Sequence, residues 1–328
     1  MSKSPFKKFL FYMFMFFIVV GLFRCWSFFN PNQEENVTFK NSVLKMDLTG
    51  VILNGKKFIK HLDKYGQDEK VKAILLDINS PGGAVGPSQE IYSEIKRIRE
   101  NRKIPVVCYS NGMMASGAYY VAVACDKIVV APGALVGSIG VILQFANLEK
   151  LYDWAKISRF SITSGKFKDS GSEYRAMRED ERALFQGMVD EVYQQFRTIV
   201  RDSRSLSEEV LNENADGRVF SGATAVKLGF ADQEGTFQQA KDLAANLAGL
   251  GSKYEIFQIP KEKKGIFDWA EGSEEDPING DQTEGHVSLG SFLKSSSQNR
   301  SLFSKEELLK VLNLQYNNQP MLLMPGLW

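Results

Sequence analysis

Histidine is nearly missing from this chain: of 328 residues only His61 and His286 are of that type. A catalytic triad or a histidine-rich metal site would have to use one of them, and neither is well placed. His61 lies upstream of the sheet-like segments, and His286 lies in an acidic, linker-like stretch. Cysteine is scarce as well. Cys25 falls in the hydrophobic N-terminus, while Cys108 and Cys125 each sit in an apolar run, so their spacing gives neither a zinc site nor a disulfide framework. The two later cysteines read as small core residues. A surplus of either charge is also absent: 40 basic side chains face 39 acidic ones, for a formal charge of +1. That balance excludes nucleic acid as a partner attracted by the overall field. With 44% hydrophobic and 12% aromatic residues the composition is globular, enough for one large or two ordinary domains.

Near the N-terminus there is a run without charge, residues 9–23 (FLFYMFMFFIVVGLF), preceded by Lys3, Lys7 and Lys8 and followed by Arg24 and Trp26. Crossing about 30 Å of hydrocarbon takes roughly 20 helical residues, a length this run reaches when Arg24 snorkels and Trp26 to Phe29 lie at the interface. The preceding lysines favour an inside N-terminus, which places everything after about Asn30 outside the cytoplasm. A cleaved signal peptide begins in the same way, but no Ala-x-Ala site follows. The bulky Phe23 and Arg24 also stand before Cys25, where a lipoprotein signal carries small residues. The expectation is a retained, single-pass anchor.

Beyond it, residues 43–48 alternate weakly like a strand, and 72–78 (KAILLDI) form the short apolar run of a buried parallel strand. A turn at 79–83 (NSPGG) leads into 88–102, where Ile91, Ile95 and Ile98 recur at helical spacing. The pattern repeats with a strand at 104–109, a turn at 110–113 and a small-residue helix at 115–124, then a strand at 127–131. Alternating strands and helices predict an α/β domain with mainly parallel pairing. A long helix is expected over 173–204, and a turn, short helix and glycine cap over 219–232 precede a further helix to about Leu250. Residues 271–284 hold six acids and no base, which is linker composition; a weak helix at 304–312 precedes the apolar end MLLMPGLW. Three blocks result: a cytoplasmic N-terminus and anchor at 1–29, a folded domain at 30–260, and an acidic linker with a tail at 261–328.

Three glycine-flanked sites attract attention: Ser80 to Gly83, Ser116 with Gly117, and 165–169 (GKFKD). Singly, each has a bland reading as turn, tight helix start or solvated lysine. Together they say more. Ser116 follows a strand and a glycine turn and opens a helix, where backbone N–H groups favour developing negative charge. With histidine so scarce, a lysine whose pKa is lowered by burial is the alternative base, and Lys166 and Lys168 are the candidates.

The strings NSPGG (79–83), NGMMASGAYYVAVACDKI (111–128), GSIGVI (137–142), SGKFKD (164–169) and RVFSGATAVKLGFAD (218–232) closely resemble the signal peptide peptidase A family, in the right order over about residues 43–250. The resemblance implies a Clp-protease or crotonase-like fold of repeated β-β-α units behind an N-terminal transmembrane helix. It implies a serine endopeptidase with a Ser/Lys dyad. By motif position Ser116 would be the nucleophile, Lys168 the general base, Ser138 the residue orienting the lysine, and the amides of Gly83 and Gly117 the oxyanion hole. Lys166 is the close rival of Lys168, since residues two apart on an extended chain point the same way. The family also implies hydrophobic peptide substrates such as signal peptide remnants, a bacterial inner-membrane location with the catalytic domain on the periplasmic or extracytoplasmic side, and a ring-like homo-oligomer. No cofactor, metal or nucleic acid is implied. Two rivals stand beside this reading, a crotonase-like acyl-CoA enzyme and a non-catalytic membrane scaffold.

Overall fold

The computed structural model describes residues 41–259 and 321–323, together with the helical residues 12, 13, 15 and 16. The chain divides into two units, 1–40 and 41–328. Apart from those four helical residues, the expected anchor lies outside the described residues, as do the acidic stretch 271–284 and the expected helix at 304–312. No helix among the described residues is long and apolar enough to cross a membrane.

The second unit is built on a six-stranded sheet. Its strands are β1 (Ser42–Thr49), β2 (Val71–Asn79), β4 (Val106–Ser110), β6 (Lys127–Val130), β9 (Gln233–Glu234) and β10 (Glu255–Gln258), in the order β10-β1-β2-β4-β6-β9 and parallel throughout. Parallel neighbours need crossovers, and helices supply them. They are α1 (Lys56–Gly66) between β1 and β2, α2 (Val85–Arg102) between β2 and β4, and α3 (Gly117–Ala122) between β4 and β6. Covered on both faces, β2 buries Ala73, Ile74, Leu75, Leu76 and Ile78 to 1% exposure or less, which explains its unbroken apolar run.

Three short strands leave this sheet: β3 (Gly82–Ala84), β5 (Met113–Ala115) and β7 (Leu135–Gly137). The sequence reading took 79–83 as a turn and divided the β5 segment between a turn ending at Met113 and a helix starting at Ala115, because three residues are too few to show a period of two. Each follows a long strand, so β2-β3-α2 and β4-β5-α3 repeat one β-β-α order. A side sheet joins β5 to β7 in parallel and β7 to β8 (Val219–Ser221) antiparallel. The last described strand, β11 (Met321–Leu323), runs antiparallel on β3 with Leu322 opposite Gly83.

The remaining helices are α4 (Glu149–Trp154), α5 (Glu179–Arg204), α6 (Glu208–Asn214), α7 (Gly222–Lys227) and α8 (Phe237–Leu247). Hydroxyl caps start three of them: Ser207 accepts from the Val210 N–H, Ser221 from Thr224 and Thr236 from Gln239. Ala240, Ala244 and Ala245 let α8 approach the sheet beside Val43, Leu75 and Val107. The long helix begins at Glu179, not at residue 173 as expected. The six residues before it are held in another conformation by bonds to charged side chains, described below.

Cys108 on β4 and Cys125 just beyond α3 form a disulfide, with Cα atoms 6.0 Å apart. Both are buried, as core residues would be, but the reading that gave them no bond is corrected. Their partnership arises because α3 folds back over β4. No local motif announces that across 17 residues of sequence.

Candidate active site

The site begins with backbone pairing. The Ser80 N–H donates to the Met113 carbonyl (2.8 Å), and the Ala115 N–H donates to the Ser80 carbonyl (3.2 Å), so the 80–84 loop is laid beside β5. On the other side of β5, Ala115 pairs with Gly137 of β7, and the Ser116 N–H donates to the Gly137 carbonyl at 2.7 Å. Ser116 and Ser138 are thus the next residues after two paired strand ends. Both have a left-handed φ, 53° and 52°. In a residue with a Cβ that geometry is strained by about 1–3 kcal/mol, and it turns each side chain out of its strand.

Ser116 is the residue on which α3 starts. It has a relative exposure of 0%, and its Oγ has no hydrogen-bond partner among the described residues. A buried hydroxyl left unpaired is a costly group that a fold seldom retains without use. As the first residue of α3, Gly117 has an N–H with no acceptor inside the helix. Beneath them α3 is anchored in the core: the Tyr119 hydroxyl donates to the Phe230 carbonyl at 2.7 Å, and burial pushes its pKa upward. The Tyr120 ring lies 5.3 Å from Tyr92 and 5.0 Å from Phe196, and burial pushes its pKa up to about 12.

Gly83 is required by its neighbour. The Ile52 N–H donates to Gly82 (2.8 Å) and the Ala84 N–H donates to Ile52 (2.7 Å), so the two segments run in contact. A Cβ on Gly83 would lie 2.0 Å from the Ile52 carbonyl oxygen. The edge of this loop that does not face Ile52 carries β11.

Lys168 is elsewhere. It lies in an exposed loop between α4 and α5, its N–H bonded to the Gly165 carbonyl at 3.1 Å, and among the described residues no hydrogen bond or ion pair joins its amine to Ser116. Lys166, its rival, is paired with Asp180 at 2.6 Å, an interaction that holds the Asp180 carboxyl below the usual carboxylate range. One chain therefore brings Gly83, Ser116, Gly117 and Ser138 together, with Lys168 exposed and not bonded to Ser116 among the described residues. His61 sits on α1, its ring 6.1 Å from Tyr65, and His286 is outside the described residues. No cluster of His, Cys, Asp and Glu among the described residues could hold a metal ion.

Comparison with known proteins adds an independent result. The model of peptidase family S49 matches residues 98–251, and that of Clp protease matches 54–134. A putative protease of Synechocystis sp. is 39% identical over 226 residues, which are 68% of this chain and 81% of the relative. A putative protease of Methanocaldococcus jannaschii is 35% identical over 65% of this chain and 68% of the relative. A putative signal peptide peptidase SppA of Enterococcus faecium is 32% identical over 64% of each.

Proposed function

The chain belongs to peptidase family S49 and is a serine-type peptidase with a Clp-protease-like α/β domain, and on that premise we propose that it cleaves hydrophobic peptides through a Ser116/Lys168 dyad. Membership of a peptidase family removes the acyl-CoA and scaffold alternatives. The observation that carries the dyad reading is Ser116 itself: a buried, unpartnered hydroxyl on a strained strand-to-helix turn, flanked by the Gly83 loop and Ser138.

A neutral Lys168 amine takes the Ser116 proton while Oγ attacks the peptide carbonyl, and the Gly83 and Gly117 N–H groups stabilise the oxyanion. The same lysine then protonates the leaving amine and later activates the water that releases the acyl-enzyme. Ser138 orients the amine. Lys168 is favoured over Lys166 because motif position assigns it the role and the Lys166 amine is already engaged by the Asp180 carboxylate at 2.6 Å. Substrate lies extended along β3, in the place that the backbone of Met321–Leu323 takes in this chain.

Lys168 is exposed and no bond joins it to the buried Ser116 within one chain, so the dyad is read as completed between copies in a ring-like homo-oligomer. The exposed apolar side chains of the arm that bears Lys168 support this: Trp154 is 80% exposed, Phe160 78% and Ile162 94%. The catalytic domain works outside the cytoplasm, held to the bacterial inner membrane by residues 9–23, on remnants of cleaved signal peptides. A disulfide between Cys108 and Cys125 is in keeping with an oxidising compartment.

The test compares cleavage of a quenched hydrophobic peptide by the parent, Ser116→Ala, Lys168→Ala and Lys166→Ala, with fluorophosphonate labelling of Ser116. The first two substitutions should abolish turnover and Lys166→Ala should keep it. An active Ser116→Ala protein would overturn the assignment.

A further inference from the structure

The loop bearing Lys168 is held by two arginines that converge on one carboxylate. Glu181, in the first turn of α5, has a relative exposure of 0%. Its Oε1 and Oε2 receive Nη2 (2.6 Å) and Nη1 (2.9 Å) of Arg175, a two-pronged fit of guanidinium to carboxylate. The Arg178 N–H donates to Oε2 at 2.9 Å, Arg178 Nη2 lies 2.9 Å from Oε1, and the Ser170 hydroxyl donates at 3.2 Å. Each arginine also reaches the lysine loop. Arg178 Nη2 donates to the Lys166 carbonyl at 2.7 Å, while Arg175 donates through Nη2 to the Asp169 carbonyl (3.2 Å) and through Nε to its carboxylate (3.2 Å). The chain is gripped two residues before Lys168 and one residue after it.

We propose that Glu181 is a positioning residue, acting through Arg175 and Arg178 to fix the backbone on both sides of Lys168 so that the amine is presented in one direction. The inference rests on Lys168 being the general base. Exposure of that loop gives it no packed core to set its shape, so the charged clasp supplies the shape. Its strength shows in the Glu181 carboxyl, which the Arg175 guanidinium, the Arg178 N–H and the Ser170 hydroxyl hold down at about 2. Lys166 joins the frame from outside through Asp180. Without the clasp Lys168 keeps its chemistry and loses its aim, and small misplacements of a catalytic group lower rates steeply.

The test measures kcat and KM across pH, with melting temperature, for full-length parent, Arg175→Lys, Glu181→Gln and Lys168→Ala. Arg175→Lys keeps the charge and loses the two-pronged fit. Both clasp variants should lower kcat by about ten- to a hundredfold with KM nearly unchanged. If both variants keep the parent kcat and profile while Lys168→Ala is dead, the positioning role is wrong and the base assignment stands. An active Lys168→Ala protein removes the base assignment itself. A loss in Arg175→Lys that is matched by a fall in melting temperature, or by a rise in KM as large as the fall in kcat, would mark the clasp as merely structural and overturn the proposal. If Glu181→Gln fails to fold, Arg175→Lys decides alone.

Discussion

The bonds that fix Ser116 are main-chain bonds, from Ser80 to Met113, from Ala115 to Ser80 and from Ser116 to Gly137, in a region where Ser80, Ala115 and Ser116 have 0% exposure. Those that fix the loop of Lys168 run between guanidinium and carboxylate groups on an exposed arm. A strand ladder in a dry core is rigid because its partners have no water to turn to, and it is insensitive to pH. A clasp of ionised groups is directional, depends on protonation and weakens with exposure. The two regions proposed to supply the serine and the lysine should therefore fail in different ways.

The largest effect is expected on the rigid half. Gly83→Ala puts a methyl group where the Ile52 carbonyl already is, at 2.0 Å, and backbone cannot yield as a flexible side chain would. The 80–84 loop must move, and the Gly83 amide proposed for the oxyanion hole moves with it. Loss of one such donor costs about a hundred- to a thousandfold in kcat. A stopped assay on Gly83→Ala with a retained melting transition would meet this expectation; parent-like turnover would contradict the placement of Gly83.

Mixing comes next, because it asks whether the two halves belong to one chain. Ser116→Ala and Lys168→Ala proteins, each inactive, should regain activity when dissociated and reassembled together. Random pairing around a ring joins an intact serine to an intact lysine at about a quarter of the sites. No recovery from a mixture that is verified as mixed would mean that the dyad closes within one copy.

Acid should separate the two regions by stability. Glu181 has a carboxyl at about 2 in the folded chain, against roughly 4.3 for a free glutamate, so its contribution is complete above about pH 4.3. The contribution is lost as pH falls through 2. Between those limits amide exchange should quicken in residues 163–178 before it does in β2 and β4. Exchange that rises equally in both would erase the distinction drawn between them.

How much of this was legible in the sequence follows the same division. KAILLDI reads as a buried strand, and Ile91, Ile95 and Ile98 as a helix face, because burial and periodicity are local. The serine and glycines of the site stand out by residue type and order. Strands of three residues do not, since β3, β5 and β7 exist only through their neighbours across the sheet. The cysteine pair and the β11–β3 pairing depend on contacts between distant segments and leave no spacing to read. The clasp was missed for another reason. Arg175, Arg178, Asp180 and Glu181 fall inside the long helix expected over 173–204, and only the 0% exposure of Glu181 separates it from its charged neighbours. Its available signal was an acid three residues after Arg178, at the start of a long helix.

The smallest effect belongs to β11, which pairs with β3 on the rigid half. Backbone 321–323 runs antiparallel on Gly82–Ala84, the edge along which an extended substrate would lie beside Ser116. A tethered strand competes at an effective concentration on the order of millimolar, although one strand of three residues gains little per residue. Deleting residues 321–328 should thus lower KM for the quenched peptide a few-fold and leave kcat alone, because β11 pairs with β3 and not with the clasp. The free peptide MLLMPGLW should then inhibit the truncated protein competitively. If truncation changes kcat and leaves KM as it was, β11 supports the oxyanion loop instead of covering the substrate edge, and the rigid half of the site is less self-sufficient than its backbone bonds suggest.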